Sequence, residues 1–438
     1  MDHLVQSVPH WQVITAIIIF LLTYAFIITE KINRAVVALM GALLMVIVGI
    51  VDVHSAYSEH IEWETIFLLI GMMILVGIAN RTGMFQYVAV KAAQFAKGNP
   101  VKLLIYLPAI TAIGSAFLDN VTTVLLIVPV TFSVTRILRV NPLPYLISEI
   151  LASNIGGTAT LIGDPPNIMI GTANKHLTFN DFIINLSPVV IVIMIVTTFV
   201  LVKYYRKLLV VDEEQVKELM KLNAASYITD KLLMMKSITI LILTVIGFTL
   251  HSVIHVEAAV IAVAGATILM LIGVKEQEME EVFHSIEWVT IFFFAGLFVL
   301  VGGLVDAGII SNLASRMLEI TEDNFTFMSM LVLWGSGLAS ATIDNIPFVA
   351  TMIPLIQDMG TQLGAEPEQL NSVWWALSLG ACLGGNGTLI GASANVVVAG
   401  MAFREGHKIT YLDFLKIGAL VTFISLVICT VYMLVFIV

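Results

Sequence analysis

Long uncharged runs set the pattern of this chain. Residues 11–29, 35–51, 63–79, 188–202, 238–250, 258–272 and 414–438 are wholly or almost free of charge. A helix needs about 20 mainly apolar residues to cross the hydrocarbon core of a bilayer. Several runs reach that length, and the shorter ones reach it with their neutral flanks. The pattern predicts an all-α polytopic membrane protein. The first run has neither a basic start before it nor a small-residue cleavage site after it, so it is expected to be a retained helix.

The basic residues orient these helices. With the amino terminus outside and one crossing per run, 19 of the 21 Lys and Arg residues fall on the cytoplasmic side, and only Lys175 and Arg316 fall outside. That asymmetry is the positive-inside rule. It holds only if two apolar stretches, 103–138 and 327–359, enter and leave on the same face, so both are predicted to be re-entrant helical hairpins. The expectation is ten crossings, two hairpins and both termini outside, in the cell (inner) membrane. The one long polar stretch is expected to be a cytoplasmic linker over 206–235, with a short surface helix in its Val211–Met220 run.

The chain also repeats itself. Ile61-Glu62-Trp63-Glu64-Thr65-Ile66-Phe67 recurs as Ile286-Glu287-Trp288-Val289-Thr290-Ile291-Phe292, and Asp119-Asn120 recurs as Asp344-Asn345, both at a step of 225. Pro129 and Pro354 keep that step, and the segment from Asn154 to Asn167 returns from Cys382 to Asn395 at a step of 228. An ordered series of matches marks a duplication. The topology puts Glu62 outside and Glu287 inside, so the copies are inverted, an architecture of secondary transporters with binding sites near the bilayer midplane. The first repeat is assigned to 1–205, with its hairpin at 103–138 and an unwound helix at 145–174. The second is assigned to 236–438, with its hairpin at 327–359 and an unwound helix at 372–402.

Composition excludes several classes. With 59% hydrophobic residues, 12% charged residues and a mean hydropathy of +0.99, the chain cannot be an ordinary soluble domain. The net charge of −10 argues against a nucleic-acid partner. No nucleotide-binding glycine motif is present, so ATP is not expected to drive it directly, and no cofactor is implied. Two cysteines and nine histidines without ligand spacing argue against a metal centre.

The candidate chemistry sits in the duplicated segments. Gly156-Gly157-Thr158 and Gly384-Gly385-Asn386-Gly387 are expected to interrupt their helices. Backbone exposed at that depth has to line a wet or ligand-filled site, where free carbonyls hold a cation and half-helix amino ends face an anion. The competing reading is glycine used for close helix packing. Asp119 and Asp344 are the carboxylates deep in the hairpins, each followed by Asn, and a carboxylate there is a functional candidate. The competing reading makes each the cap of the second hairpin helix. Asp164, before Pro165-Pro166, is either an N-cap or a substrate contact. Glu149 and Asp306 are expected at solvated helix ends, and Cys382 is expected to be a small apolar core residue.

These residues carry a resemblance. Leu118-Asp119-Asn120-Val121-Thr122-Thr123, Asn154 to Asn167, Thr342-Ile343-Asp344-Asn345-Ile346-Pro347 and Gly384 to Asn395 resemble the arsenite permease/P-protein branch of the ion transporter superfamily, distant kin of the sodium–dicarboxylate symporters. The symporters carry Ser-Asn-Thr at each hairpin tip. This chain keeps Asn120 and Asn345 but has Asp119 and Asp344 for the serine, and Val121 and Ile346 for the threonine. The resemblance implies ion coupling, by H+ or Na+, at Asp119, Asn120, Asp344, Asn345, Gly156, Gly157, Gly384 and Gly385. It implies substrate contacts at Asn120, Thr122, Thr158, Asp164, Asn167, Asn345, Asn386, Thr388 and Asn395. It further implies an elevator motion, a homodimer and, for an arsenite-type member, a cytoplasmic ATPase subunit. The expected cargo is a small anion or metalloid oxyanion such as arsenite or antimonite. Sodium-coupled di- or tricarboxylate transport, sodium/proton exchange and a passive anion channel are the alternatives. An intramembrane aspartyl protease is disfavoured, because Leu161-Ile162-Gly163-Asp164 lacks the first glycine of its Gly-x-Gly-Asp motif.

Overall fold

A computed structural model describes residues 9–29, 31–209 and 213–438. Val211 and Asp212 of the expected surface helix lie outside the described residues, as does His3. The rest is helical, with no strand among the described residues. Nine helices among them are long and apolar enough to cross a membrane.

The first half runs through α1 (His10–Thr29), α2 (Arg34–Ile47), α3 (Trp63–Arg81), α4 (Met84–Phe95), α5 (Pro100–Phe117), α6 (Asn120–Leu138), α7 (Leu143–Gly157), α8 (Pro165–Ala173) and α9 (Phe179–Tyr205). After α10 (Glu213–Met220) the second half follows the same order. It comprises α11 (Lys231–Ile254), α12 (Ala258–Gly273), α13 (Trp288–Asp306), α14 (Ile309–Thr321), α15 (Phe325–Thr342), α16 (Asn345–Leu363), α17 (Asn371–Gly384), α18 (Ser393–Arg404) and α19 (Tyr411–Tyr432). Pairing α5 with α6 and α15 with α16 as hairpins, and setting aside the short helices α4, α10 and α14, leaves ten candidate crossing segments, with α7–α8 and α17–α18 each counted as one broken helix.

Both hairpins turn for local reasons. Asn99 caps α5 by accepting from the Val101 and Lys102 amides, with Pro100 in the first turn. Leu118 then adopts extended backbone at φ −122° and ψ 157°, and Asp119 starts α6 by accepting from the Thr122 amide. Ile343 at φ −129° and ψ 145° and Asp344 repeat the device before α16.

The two halves are interleaved. α3 crosses α12, and α13 crosses α2. A Cβ on Gly71 would lie 2.7 Å from the Ala262 carbonyl carbon, and one on Gly296 would lie 2.7 Å from the Leu39 nitrogen. These glycines are 225 residues apart, so the same close crossing is built twice, each time between a helix of one half and a helix of the other.

One feature differs from expectation, and two more lie outside it. The helix runs through Gly156 and Gly157 and, in the second copy, through Gly384, so unwinding begins at Thr158 and Gly385. The reason is packing: a Cβ would sit 2.1 Å from the Ala112 carbonyl oxygen at Gly156 and 2.6 Å from that of Gly337 at Gly384, so each glycine lets its helix lie against its hairpin. Secondly, α4 and α14 are half-buried amphipathic helices, each entered through a left-handed glycine, Gly83 at φ 75° and Gly308 at φ 70°, also 225 apart. Thirdly, the linker is docked on the first half. The Gln94 amide donates to the Leu222 carbonyl at 2.7 Å, the Thr229 amide donates to Thr82 at 3.0 Å, and Leu219 is fully buried.

Ion pairs join residues assigned to the same face. Arg81 meets Glu278 and Glu281, and Arg136 meets Glu405. On the opposite face His60 meets Asp306 at 2.9 Å, and Lys175 meets Glu257 at 2.6 Å, a bond that raises the ammonium pKa above its ordinary value. Single cysteines placed beside His54, Lys175, Glu322 or Gln362 are expected to react with an impermeant maleimide in sealed right-side-out cells. Those beside Lys97, Lys217 or Gly406 are expected to stay unlabelled, and external labelling at Lys217 would reverse the orientation.

Candidate functional site

The two hairpin tips and the two helix breaks meet in the protein interior. Asp164 stands at their centre, fully buried. Its backbone occupies the N-cap position of α8, but its side chain makes no capping bond. Instead Asn120 of the first tip and Asn345 of the second both donate to Asp164 Oδ1, each at 3.4 Å. Asp164 Oδ2 has no hydrogen-bond partner among the described residues. An orphaned buried carboxylate oxygen is costly, and a bound cation or proton removes that cost.

Asn154, on the last turn of α7, ties the two breaks together. Its amide nitrogen donates to Asn386 Oδ1 at 2.9 Å and to Asn395 Oδ1 at 3.0 Å, while its Oδ1 accepts from Asn120 at 3.0 Å. Asn167 and Asn395 play matching parts in the two copies. Asn167 donates to the carbonyls of Thr158 and Thr160, and Asn395 donates to those of Gly385 and Thr388. Each asparagine thereby satisfies the backbone freed by its own break.

The hairpin carboxylates do cap their helices. Asp119 Oδ1 accepts from the Thr122 amide at 2.8 Å and Asp119 Oδ2 from the Thr122 hydroxyl, while Asp344 Oδ1 accepts from the Ile346 amide at 3.1 Å. The remaining oxygen of Asp344 takes Arg34 Nη1 at 3.1 Å and the Ser393 hydroxyl at 2.8 Å. Between these groups lies a cavity of about 20 Å³, lined by Asp119, Asp164, Glu287, Arg34, Asn120 and Asn345 among others. That is room for roughly one water-sized species. Three carboxylates face it directly, and Asp344 stands behind Arg34.

Of the residues singled out in the sequence, Asp119, Asn120, Asp164 and Asn345 line this cavity, and Asp344 sits at its edge. Thr122 is a capping partner of Asp119. Thr158 Oγ1 donates to Asn154 O and Thr388 Oγ1 to Ala341 O, so both hydroxyls are engaged by backbone. Asn167, Asn386 and Asn395 form the layer beneath. Gly156, Gly157, Gly384 and Gly385 do not line the cavity. The Gly156 and Gly384 carbonyls close tight turns with the Ala159 and Gly387 amides, and the Gly385 carbonyl holds Asn395.

Glu149 departs from expectation. It is fully buried in α7 and accepts from Thr131 at 2.5 Å, because the helix is sheathed on both sides at that point. Asp306 is partly exposed and paired with His60. Cys382 is buried with its Sγ 3.5 Å from Asn167 Oδ1. The sequence reading missed Asn154, Arg34, Glu287 and Ser393 as members of the site. Glu287 was visible within the repeat, whereas Arg34 was visible only as one more basic residue.

The site is off-centre in the scaffold. Glu287 and Thr290 line the central cavity, but their repeat counterparts Glu62 and Thr65 line a separate cavity of about 190 Å³ with Met169, Ala350 and Gln357.

Comparison with known proteins agrees with this architecture. The chain matches the CitMHS citrate transporter family over residues 24–380. It is 41% identical over 423 residues to an uncharacterized transporter of Mycobacterium bovis, covering 96% of this chain and 97% of that one. It is 34% identical over 508 residues to the P protein of Mus musculus, covering 97% of this chain and 60% of that longer protein. The YdaH transporter of Alcanivorax borkumensis shares the fold, with a TM-score of 0.56 at 14% identity over 97% of this chain and 98% of that one. With its inverted halves, paired hairpins and broken helices, the chain belongs to the citrate transporter family and is a multi-pass membrane transporter, not an enzyme.

Proposed function

We propose that the chain is a secondary active transporter that moves a small anion or metalloid oxyanion of the arsenite or antimonite type, coupled to H+ or Na+. The carrying observation is the buried, half-satisfied carboxylate of Asp164 held between both hairpin tips. Cations or protons taken up by Asp164, Asp119 and Asp344 offset part of this negative charge and tie the tips to each other. The surplus of carboxylates favours a cargo that is uncharged near neutral pH, as arsenous acid is. A citrate-type cargo is the second reading, favoured by the family match, and it requires protons or cations bound with the anion. The off-centre site supports an elevator motion of the hairpins and broken helices against α2, α3, α12 and α13. By the resemblance to relatives, the assembly is a homodimer in the cell membrane with both termini outside, and an arsenite-type member docks a cytoplasmic ATPase subunit.

Proteoliposomes holding the purified protein test this reading. With arsenite, antimonite or citrate equal on both sides, an imposed pH or sodium gradient is expected to drive one of these cargoes above its equilibrium level. Flux of all three that only ever runs downhill would identify a passive channel instead.

A further inference from the structure

Arg34 is the first residue of α2 and belongs to the scaffold, not to the hairpins. Its guanidinium lies over the Phe293 ring of α13, 5.0 Å from the centroid, and its Nη1 reaches both Asp344 Oδ2 and the Ser393 hydroxyl. Ser393 donates in turn to the same carboxylate oxygen. The other Asp344 oxygen is engaged by the α16 amide end, so one scaffold charge neutralises this carboxylate. The remaining ionisable groups around the cavity, Asp119, Asp164 and Glu287, are all acids, and Arg34 is its one basic residue among the described residues.

The repeat makes this arrangement one-sided. The step of 225 that takes Glu62 to Glu287 takes Arg34 to Ala259, near the start of α12. The cavity on the opposite side holds Glu59, Glu62 and His60, with His60 paired to Asp306. No arginine or lysine lines it among the described residues.

We propose that Arg34 is a built-in counter-cation that displaces the coupling ion from Asp344 on one face of the membrane only. When the hairpins sit at the Arg34 end of the scaffold, the guanidinium occupies the carboxylate and the coupling cation leaves. When they sit at the Glu62 end, Asp344 meets no arginine or lysine in the lining of that cavity, Lys175 nearby being paired with Glu257, and takes the cation up. Release is thereby directed to the face that bears Arg34, the cytoplasmic one in the assigned topology. Phe293 and Ser393 act by holding the guanidinium in register. This rests on the reading that Asp344 shares the coupling cation.

The test needs no cargo. Purified full-length protein is titrated with NaCl against choline chloride at constant ionic strength, and separately with pH, and thermal unfolding reports cation binding. Removing an opposite charge from beside a carboxylate changes its affinity for a proton or cation by about tenfold to a thousandfold. Arg34→Gln is therefore expected to lower the half-saturating cation concentration by at least about tenfold. Arg34→Lys and Ser393→Ala, which keep most of the packing, are expected to give smaller shifts of the same sign. In an Asp344→Asn background, Arg34→Gln is expected to give a much smaller shift, through the remaining carboxylates of the cavity. Two results would overturn the role of Arg34 while leaving cation binding at Asp344 intact. One is a half-saturation unchanged within about twofold in all three variants while Asp344→Asn weakens the response; the other is a uniform fall in stability at every cation concentration. An undiminished cation response in Asp344→Asn would instead remove the underlying reading, and the proposal with it.

Discussion

Asp164→Asn is expected to abolish gradient-driven accumulation while leaving the protein folded and inserted. Asparagine has the same shape, and its oxygen can still accept from Asn120 and Asn345, the two bonds that Asp164 Oδ1 receives. What disappears is the charge on the oxygen that has no protein partner among the described residues. Removing one member of a buried charge pair costs about 3–5 kcal/mol. At about 1.4 kcal/mol per factor of ten, that weakens cation binding more than a hundredfold. Asp119→Asn and Asp344→Asn are expected to weaken coupling less, because each carboxylate also accepts capping bonds that asparagine can keep. Proteoliposome uptake under an imposed gradient measures all three. Accumulation by Asp164→Asn at the wild-type rate would remove Asp164 from the coupling site.

The second large effect is on stability. Asn154→Leu keeps the volume but leaves the Asn120 amide short of a partner and the Asn386 and Asn395 oxygens without the amide they share. Each buried polar group so stranded costs about 1–3 kcal/mol, so the loss is expected to be about 3 kcal/mol or more. Thermal unfolding in detergent reads this directly. A melting temperature within a few degrees of wild type would mean that the asparagine cluster is not a structural tie between the breaks.

Much of this fold is legible in the sequence because the bilayer enforces it. Uncharged runs of the right length must be helices, and the placement of basic residues forces 103–138 and 327–359 to double back, as α5–α6 and α15–α16 do. The duplicated Asp-Asn motif points to the hairpin tips for the same reason. What stayed hidden depends on contacts between segments distant in sequence. Arg34 lies 310 residues from Asp344, and nothing in its own neighbourhood distinguishes it from the basic residues that merely set orientation. Asn154 has Cys382 as its counterpart in the second copy, so symmetry gave no hint that it bridges the two breaks. Glu149 is buried rather than solvated, and its packing against α6 cannot be read from periodicity. In the sequence the duplicated glycines fit either freed backbone or close helix packing, with freed backbone the expectation. Gly156 and Gly384 instead let two backbones touch, a distinction that only the neighbouring helix decides.

The interleaving of the halves bears on how the molecule is made. Synthesis delivers α2 and α3 long before α12 and α13 exist, so the surfaces around Ala38 and Gly71 enter the bilayer with no mate. Lipid offers little drive for early collapse, because its tails are as apolar as the helices themselves. The scaffold therefore comes together late, once α13 has left the ribosome, and the linker held against α4 keeps the finished half close by until then. A nascent chain halted before residue 258 presents quality-control proteases with helices that are inserted but not yet assembled.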